Sequence, residues 1–159
     1  RDAQESRGLG DVYKRQVSIM SNQEVTRHGY DEAVLMDTQG YVCQGSGENL
    51  FLVKDGELHT PDLSGGALDG ITRRTVIQFA QDLGIKVHER RITRDEFYIA
   101  DEIFMTGTAA EITPIREYDD HVIGCGARGE ITEKLQSLFF DVVQGKNDKY
   151  AHWLSYVDE

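Results

Sequence analysis

The sequence predicts a mixed α/β fold, of the α+β kind, in which a small sheet is covered by amphipathic helices. Short apolar runs such as Glu32–Asp37 (EAVLMD) and Glu48–Lys54 (ENLFLVK), each bounded by turn residues, read as buried strands. Thr72–Leu83 and Gly129–Val143 instead carry their apolar residues at helical spacing and read as the covering layer. No repeat or low-complexity segment suggests another architecture.

In chain order, residues 1–16 (RDAQESRGLGDVYKRQ) carry charge and glycine without any period. Asp11–Gln16 is what the codons GATGTGTATAAGAGACAG encode, a string that resembles the transposon-end adapter of sequencing libraries. Residues 1–16 are therefore expected to be a non-native or disordered leader, and 17–159 the folded unit. Val17, Ile19, Met20 and Val25 fit the end of a helix closed by His28-Gly29. After the Glu32–Asp37 strand, Thr38-Gln39-Gly40 supplies a turn. Lys54-Asp55-Gly56-Glu57 carries a hairpin signal that joins Glu48–Lys54 to Leu58-His59-Thr60.

The Thr72–Leu83 helix places Val76, Ile77, Ala80 and Leu83 on one face, ends at Gly84 and feeds the strand-like Ile85–His88. A short helical piece over Arg94–Ile99 precedes the buried strand Glu102–Met105 and the small-residue loop Thr106–Ala110. Small residues there let backbone approach something closely. Ile112–Ile123, with Pro114 and the Asp119-Asp120 turn, reads as a two-stranded excursion. Ile131, Leu135, Leu138, Phe139 and Val142 then mark an amphipathic closing helix.

With 28 acidic against 17 basic residues, the formal net charge of −11 argues against nucleic acid or an acidic membrane surface as a partner. No apolar run is long enough to span a bilayer. The two cysteines, Cys43 and Cys125, lie far apart and outside any C-x-x-C spacing, so neither a disulfide framework nor a zinc site is expected and a reducing cytoplasm is the simplest setting. The five histidines are too dispersed for a metal-ligand spacing, and no metal is expected.

Two segments carry possible chemistry. Leu68-Asp69-Gly70-Ile71-Thr72-Arg73 is a glycine turn opening onto a helix, and free N–H groups with a nearby hydroxyl suit a phosphate dianion. The residues alone favour the plainer reading, an ordinary helix cap. Thr106–Ala110 could likewise converge backbone N–H groups and the Thr108 hydroxyl on an anion, or be a closely packed loop. Gln44–Asn49 (QGSGEN) matches no dinucleotide, Walker or nucleophile-elbow pattern and by itself signals a turn.

Together, Arg27–Ala33 (RHGYDEA), Gly45–Phe51 (GSGENLF), Gly70–Arg73 (GITR) and Thr106–Pro114 (TGTAAEITP) resemble, in order and spacing, the class IV aminotransferases. The wording of the last segment, with Arg128–Thr132 and Trp153-Leu154, looks most like the branched-chain enzymes. The resemblance implies a pyridoxal 5'-phosphate (PLP) enzyme of fold type IV, of which this chain is the large cofactor-holding domain, truncated at its start, and whose homodimer completes the active site. It implies exchange of the amino group of leucine, isoleucine or valine with 2-oxoglutarate. Gly70, Ile71 and Thr72, preceded by Leu68, would hold the phosphate with help from Thr108, while Thr108 and Ala109 would face the substrate carboxylate. Alternatives of the same fold are a D-amino-acid transaminase or an aminodeoxychorismate lyase, and of another class a non-catalytic binding or dimerisation module.

Two departures stand out. Counting back from Ser18 along the family's K-x-G-G-N-Y-x-N-S segment puts the cofactor-bearing lysine at Gly10 and the tyrosine at Arg15, so no catalytic residue is assigned and the chain as given is expected to be inactive. Gln44 stands where the family usually has a glutamate against the pyridine nitrogen. A neutral amide there stabilises the pyridinium far less than a carboxylate.

Overall fold

The computed structural model describes residues 16–155, so the cofactor-lysine position at Gly10 and most of the expected leader lie outside the described residues. Residues 16–27 form a helix, α1, that includes Gln16 and ends in the expected His28-Gly29 turn, where Gly29 takes φ 86°.

The strands are β1 (Val34–Met36), β2 (Tyr41–Gly45), β3 (Asn49–Lys54), β4 (Glu57–Pro61), β5 (Val87–Arg90), β6 (Ile92–Thr93), β7 (Glu102–Gly107), β8 (Glu111–Ile115), β9 (Glu117–Tyr118) and β10 (His121–Val122). Among the described residues, three further α-helices are α2 (Ile71–Asp82), α3 (Arg94–Tyr98) and α4 (Glu130–Val143). The central sheet has five strands in the order β5-β4-β3-β7-β8, antiparallel except for the parallel β4–β5 pair.

Residues 50–53 of β3 are apolar without a break because both faces of the strand are buried. Phe51 and Val53 join Phe104 of β7 in the core under α2 and α4, with Val76, Phe79, Ala80 and Leu135 supplied by those helices. Leu50 and Leu52 point the other way, into a second core with Val42, Ile92, Phe97 and Ile103. The Phe51 and Phe104 rings stack at 5.0 Å, fastening the two central strands. A three-stranded β1-β2-β6 sheet with α3 covers the second face.

The expected helices occur at their places, and the Asp55-Gly56 hairpin has φ of 51° and 77°, the left-handed pair that such a two-residue turn needs. Other expectations are corrected. Tyr41–Gly45, absent from the sequence reading, is a strand, so Gln44 sits on β2 opposite Leu35, and only residues 46–48 bend. Ile112–Ile115 is no excursion: as β8 it closes the main sheet, and Pro114 is tolerated because β8 is an edge. The separate ribbon is only β9–β10, turned by Asp119 and Asp120 at φ 48° and 63°.

Candidate functional site

Asn49 opens β3 and is 6% exposed. Its Nδ2 donates to the Leu68 carbonyl at 2.7 Å, and its Oδ1 fills the space that a Cβ on Gly70 would need. Gly70 has φ −69°, open to any residue, so the neighbour and not the dihedral demands glycine. Gln44 reaches across from β2, its Oε1 accepting the Leu68 N–H at 2.8 Å. Both peptide groups of Leu68 are thereby held, which sets where α2 begins.

That beginning is bare. Gly70 brings no capping side chain and the first turn carries no acidic residue. Among the described residues, the N–H groups of Ile71, Thr72 and Arg73 find no acceptor. Such a helix end presents partial positive charge and open donors. Arg73, 2% exposed, anchors it: its guanidinium donates to the Pro61 carbonyl at 3.1 Å and pairs with Glu89 at 2.6 Å. Thr72 is half-buried, whereas Ile71 is exposed.

The third segment meets the others through β7. Thr106 pairs in register with Asn49, and Gly107 packs against the Glu48 side chain and the Gly47 carbonyl, at 3.5 and 3.7 Å from the place of a Cβ. Here the small residues do permit a close backbone approach. Thr108 and Ala109 then turn outward, exposed, and the Thr113 hydroxyl holds the turn by donating to the Ala110 carbonyl at 2.6 Å. Thr106 Oγ1 is fully buried beneath this loop without a partner among the described residues. Gln44 and Asn49 thus meet at Leu68, which leads through Gly70 into Ile71 and Thr72, while no hydrogen bond ties Thr108 or Ala109 to them among the described residues.

Glu32 and Glu48 brace the turn between β2 and β3. Glu32 Oε1 accepts the N–H groups of Ala33 and Ser46 at 2.8 and 2.9 Å, and Glu48 Oε2 accepts that of Gly47 at 2.9 Å. Burial pushes the Glu48 carboxyl above its ordinary range; the Gly47 hydrogen bond opposes this and the Glu32 charge adds to it. Sequence reasoning missed Asn49, Glu32 and Glu48 as site residues. For Asn49 a signal existed, a polar residue at the head of an otherwise apolar strand. Of two concavities, an apolar groove of about 500 Å³ between α2 and α4 reaches the cluster at Ile71, and a smaller one of about 200 Å³ lies apart from it, beside Glu57 and His59.

The class IV amino-transferase family model matches residues 13–118. A branched-chain-amino-acid aminotransferase of Pseudomonas aeruginosa is 53% identical over 140 residues, covering 88% of this chain and 45% of that protein. One from Escherichia coli is 45% identical over 142 residues, covering 89% of this chain and 46% of its own length. Among solved structures, the Escherichia coli branched-chain amino acid aminotransferase superposes with a TM-score of 0.88 at 44% identity, over 91% of this chain and 49% of that one. The enzyme of Thermobaculum terrenum in its PLP form superposes with a TM-score of 0.87 at 42% identity, over 89% and 46%. The chain spans about half the length of the relatives it matches.

Proposed function

The chain belongs to the class IV amino-transferases, and from that premise we propose that residues 17–159 are the cofactor-holding part of a PLP-dependent branched-chain amino-acid aminotransferase. The observation that carries the proposal is the meeting at Asn49 of three loops around a bare helix start.

The residues present fit a phosphorylated cofactor. The unclaimed N–H groups of Ile71 and Thr72, with the Thr72 hydroxyl, are donors for a dianion. Thr108 stands on the neighbouring exposed turn as a further hydroxyl, and with Ala109 it would meet the carboxylate of the amino-acid or 2-oxo-acid substrate. Bound PLP supplies an electron sink for charge that develops at the substrate α-carbon. Gln44 modulates this. Its Oε1 is committed to Leu68, so the group left to face the ring nitrogen is the Nε2 donor, which suits an unprotonated nitrogen. The proposed assembly is a homodimer in a reducing cytoplasm. Among the described residues no helix is long and apolar enough to cross a membrane.

The test titrates the chain with PLP and with pyridoxal, following the fluorescence of Trp153, the single tryptophan. PLP is expected to bind at least about tenfold more tightly than pyridoxal, and Thr72→Ala to narrow that gap. Equal affinity for the two would overturn the phosphate assignment. With leucine and 2-oxoglutarate the chain as given is expected to show no turnover. Substrate class is read on a full-length relative carrying these loops, where preference for D-alanine or aminodeoxychorismate over L-leucine would overturn the branched-chain assignment.

A further inference from the structure

At the opposite end of β3 from Asn49, three side chains outside the proposed cofactor site meet on one patch. Glu57 and His59 are two residues apart on β4 and project from the same face, while the parallel register sets His88 of β5 directly beside His59. The His59 and His88 rings stack with centroids 4.7 Å apart, and His88 Nε2 lies 2.6 Å from Glu57 Oε2. All three are half-buried, and Glu57 and His59 border the smaller concavity described above, so a small ion can reach the cluster from solvent.

We propose that Glu57, His59 and His88 form a binding site for a divalent transition-metal ion of the zinc, cobalt or nickel class. One donor atom from each residue lies within 4.8 Å of the others. Donors around a tetrahedral ion with bonds of about 2.0–2.2 Å stand roughly 3.3–3.6 Å apart, so side-chain rotation closes the site. Two imidazoles and one carboxylate suit borderline ions; calcium and magnesium ask for more oxygen ligands. Three protein ligands leave the fourth position to water.

Two cations compete for the same donors. Lys86 Nζ donates to Glu57 Oε1 at 3.2 Å, but its side chain is 66% exposed and can return to water. Arg90 is the stronger competitor: its Nε donates to His59 Nδ1 at 3.2 Å, while its other end pairs with Glu96 at 2.6 Å. A bound ion takes over the Glu57–His88 contact and must displace or endure Arg90. Bound there, it would clip edge strand β5 to β4 at the parallel pair of the central sheet.

The test uses the full chain without a histidine tag, titrated with zinc by calorimetry and with cobalt by visible absorption. One ion per chain is expected, with a rise in melting temperature. His59→Ala and the double variant His59→Ala/His88→Ala are expected to weaken binding by more than about tenfold, and Arg90→Ala to tighten it. Circular dichroism checks that each variant folds, and His59→Gln with His88→Phe stands in where alanine disrupts the strands. No uptake at one equivalent near neutral pH, or a double variant that binds as tightly as the parent, would overturn the site.

Discussion

Asn49 and Gly70 are fitted to each other: the Asn49 carboxamide oxygen occupies the place of a Gly70 Cβ while its nitrogen donates to Leu68, one turn of chain before α2. The start of the helix is therefore positioned by a strand residue, not by a cap of its own.

Gly70→Ala must displace Asn49 and break the 2.7 Å bond to Leu68. A loss of about 1–3 kcal/mol is expected in denaturant unfolding, together with weaker PLP binding. Asn49→Ala should cause a similar loss, and the double variant should cost less than the sum of the two, because the clash vanishes with the side chain.

Glu102 caps α4 from a different strand. Its carboxylate accepts the N–H groups of Ile131 and Thr132 at 3.0 and 2.8 Å and the Thr132 hydroxyl at 2.6 Å, where Thr132 is fully buried. Glu102→Ala removes two acceptor oxygens and the three hydrogen bonds they take, and strands a buried hydroxyl, so a loss of about 2–3 kcal/mol is expected by chemical denaturation. Glu102→Gln keeps one acceptor oxygen and should lose less.

Burial pushes the Tyr118 phenol from its ordinary value of 10 up to about 12, with the Asp119 charge adding to it. Because the folded pKa lies above the unfolded one, the associated stability is complete below pH 10 and is lost as pH rises through about 12. Tyr30, Tyr98 and Tyr150 shift in the same direction, so the informative measurement is a difference. Tyr118→Phe should unfold less steeply than the parent between those pH values.

Gln44→Glu keeps an acceptor for the Leu68 N–H and adds a charge beside the proposed ring-nitrogen position. In a full-length relative carrying glutamine there, the exchange is expected to protonate the ring nitrogen, seen in its ¹⁵N shift, and to raise kcat by about tenfold, or about 1.4 kcal/mol of barrier. An unchanged nitrogen shift would remove Gln44 from the cofactor.

Elements with their own period or punctuation were legible without coordinates. α2 and α4 announced themselves by spacing, β3 by its unbroken apolar run, and the Asp55-Gly56 hairpin by its turn residues. β2 and β6 were not, because Tyr41–Gly45 carries a glutamine and Ile92–Thr93 is too short to show alternation; the two pair with each other across a long stretch of sequence, and β2 also pairs with the neighbouring β1.

Within the site, residue type alone marked Leu68–Arg73 and Thr106–Ala110 as possible anion loops while favouring an ordinary helix cap and a packed loop. Their chemistry is local: glycine, small residues and hydroxyls set what a loop can do. Their meeting was decided by tertiary structure, since Asn49 touches Leu68 and Gly70 across the fold and Thr106 across the sheet. The same holds for Glu57, His59 and His88, whose strands neighbour one another only once β5 has crossed back along β4. Local sequence determined helices, turns and donor groups because those depend on residues a few positions apart. Which donors converge depended on strand register, a property of pairing between segments that no single segment encodes.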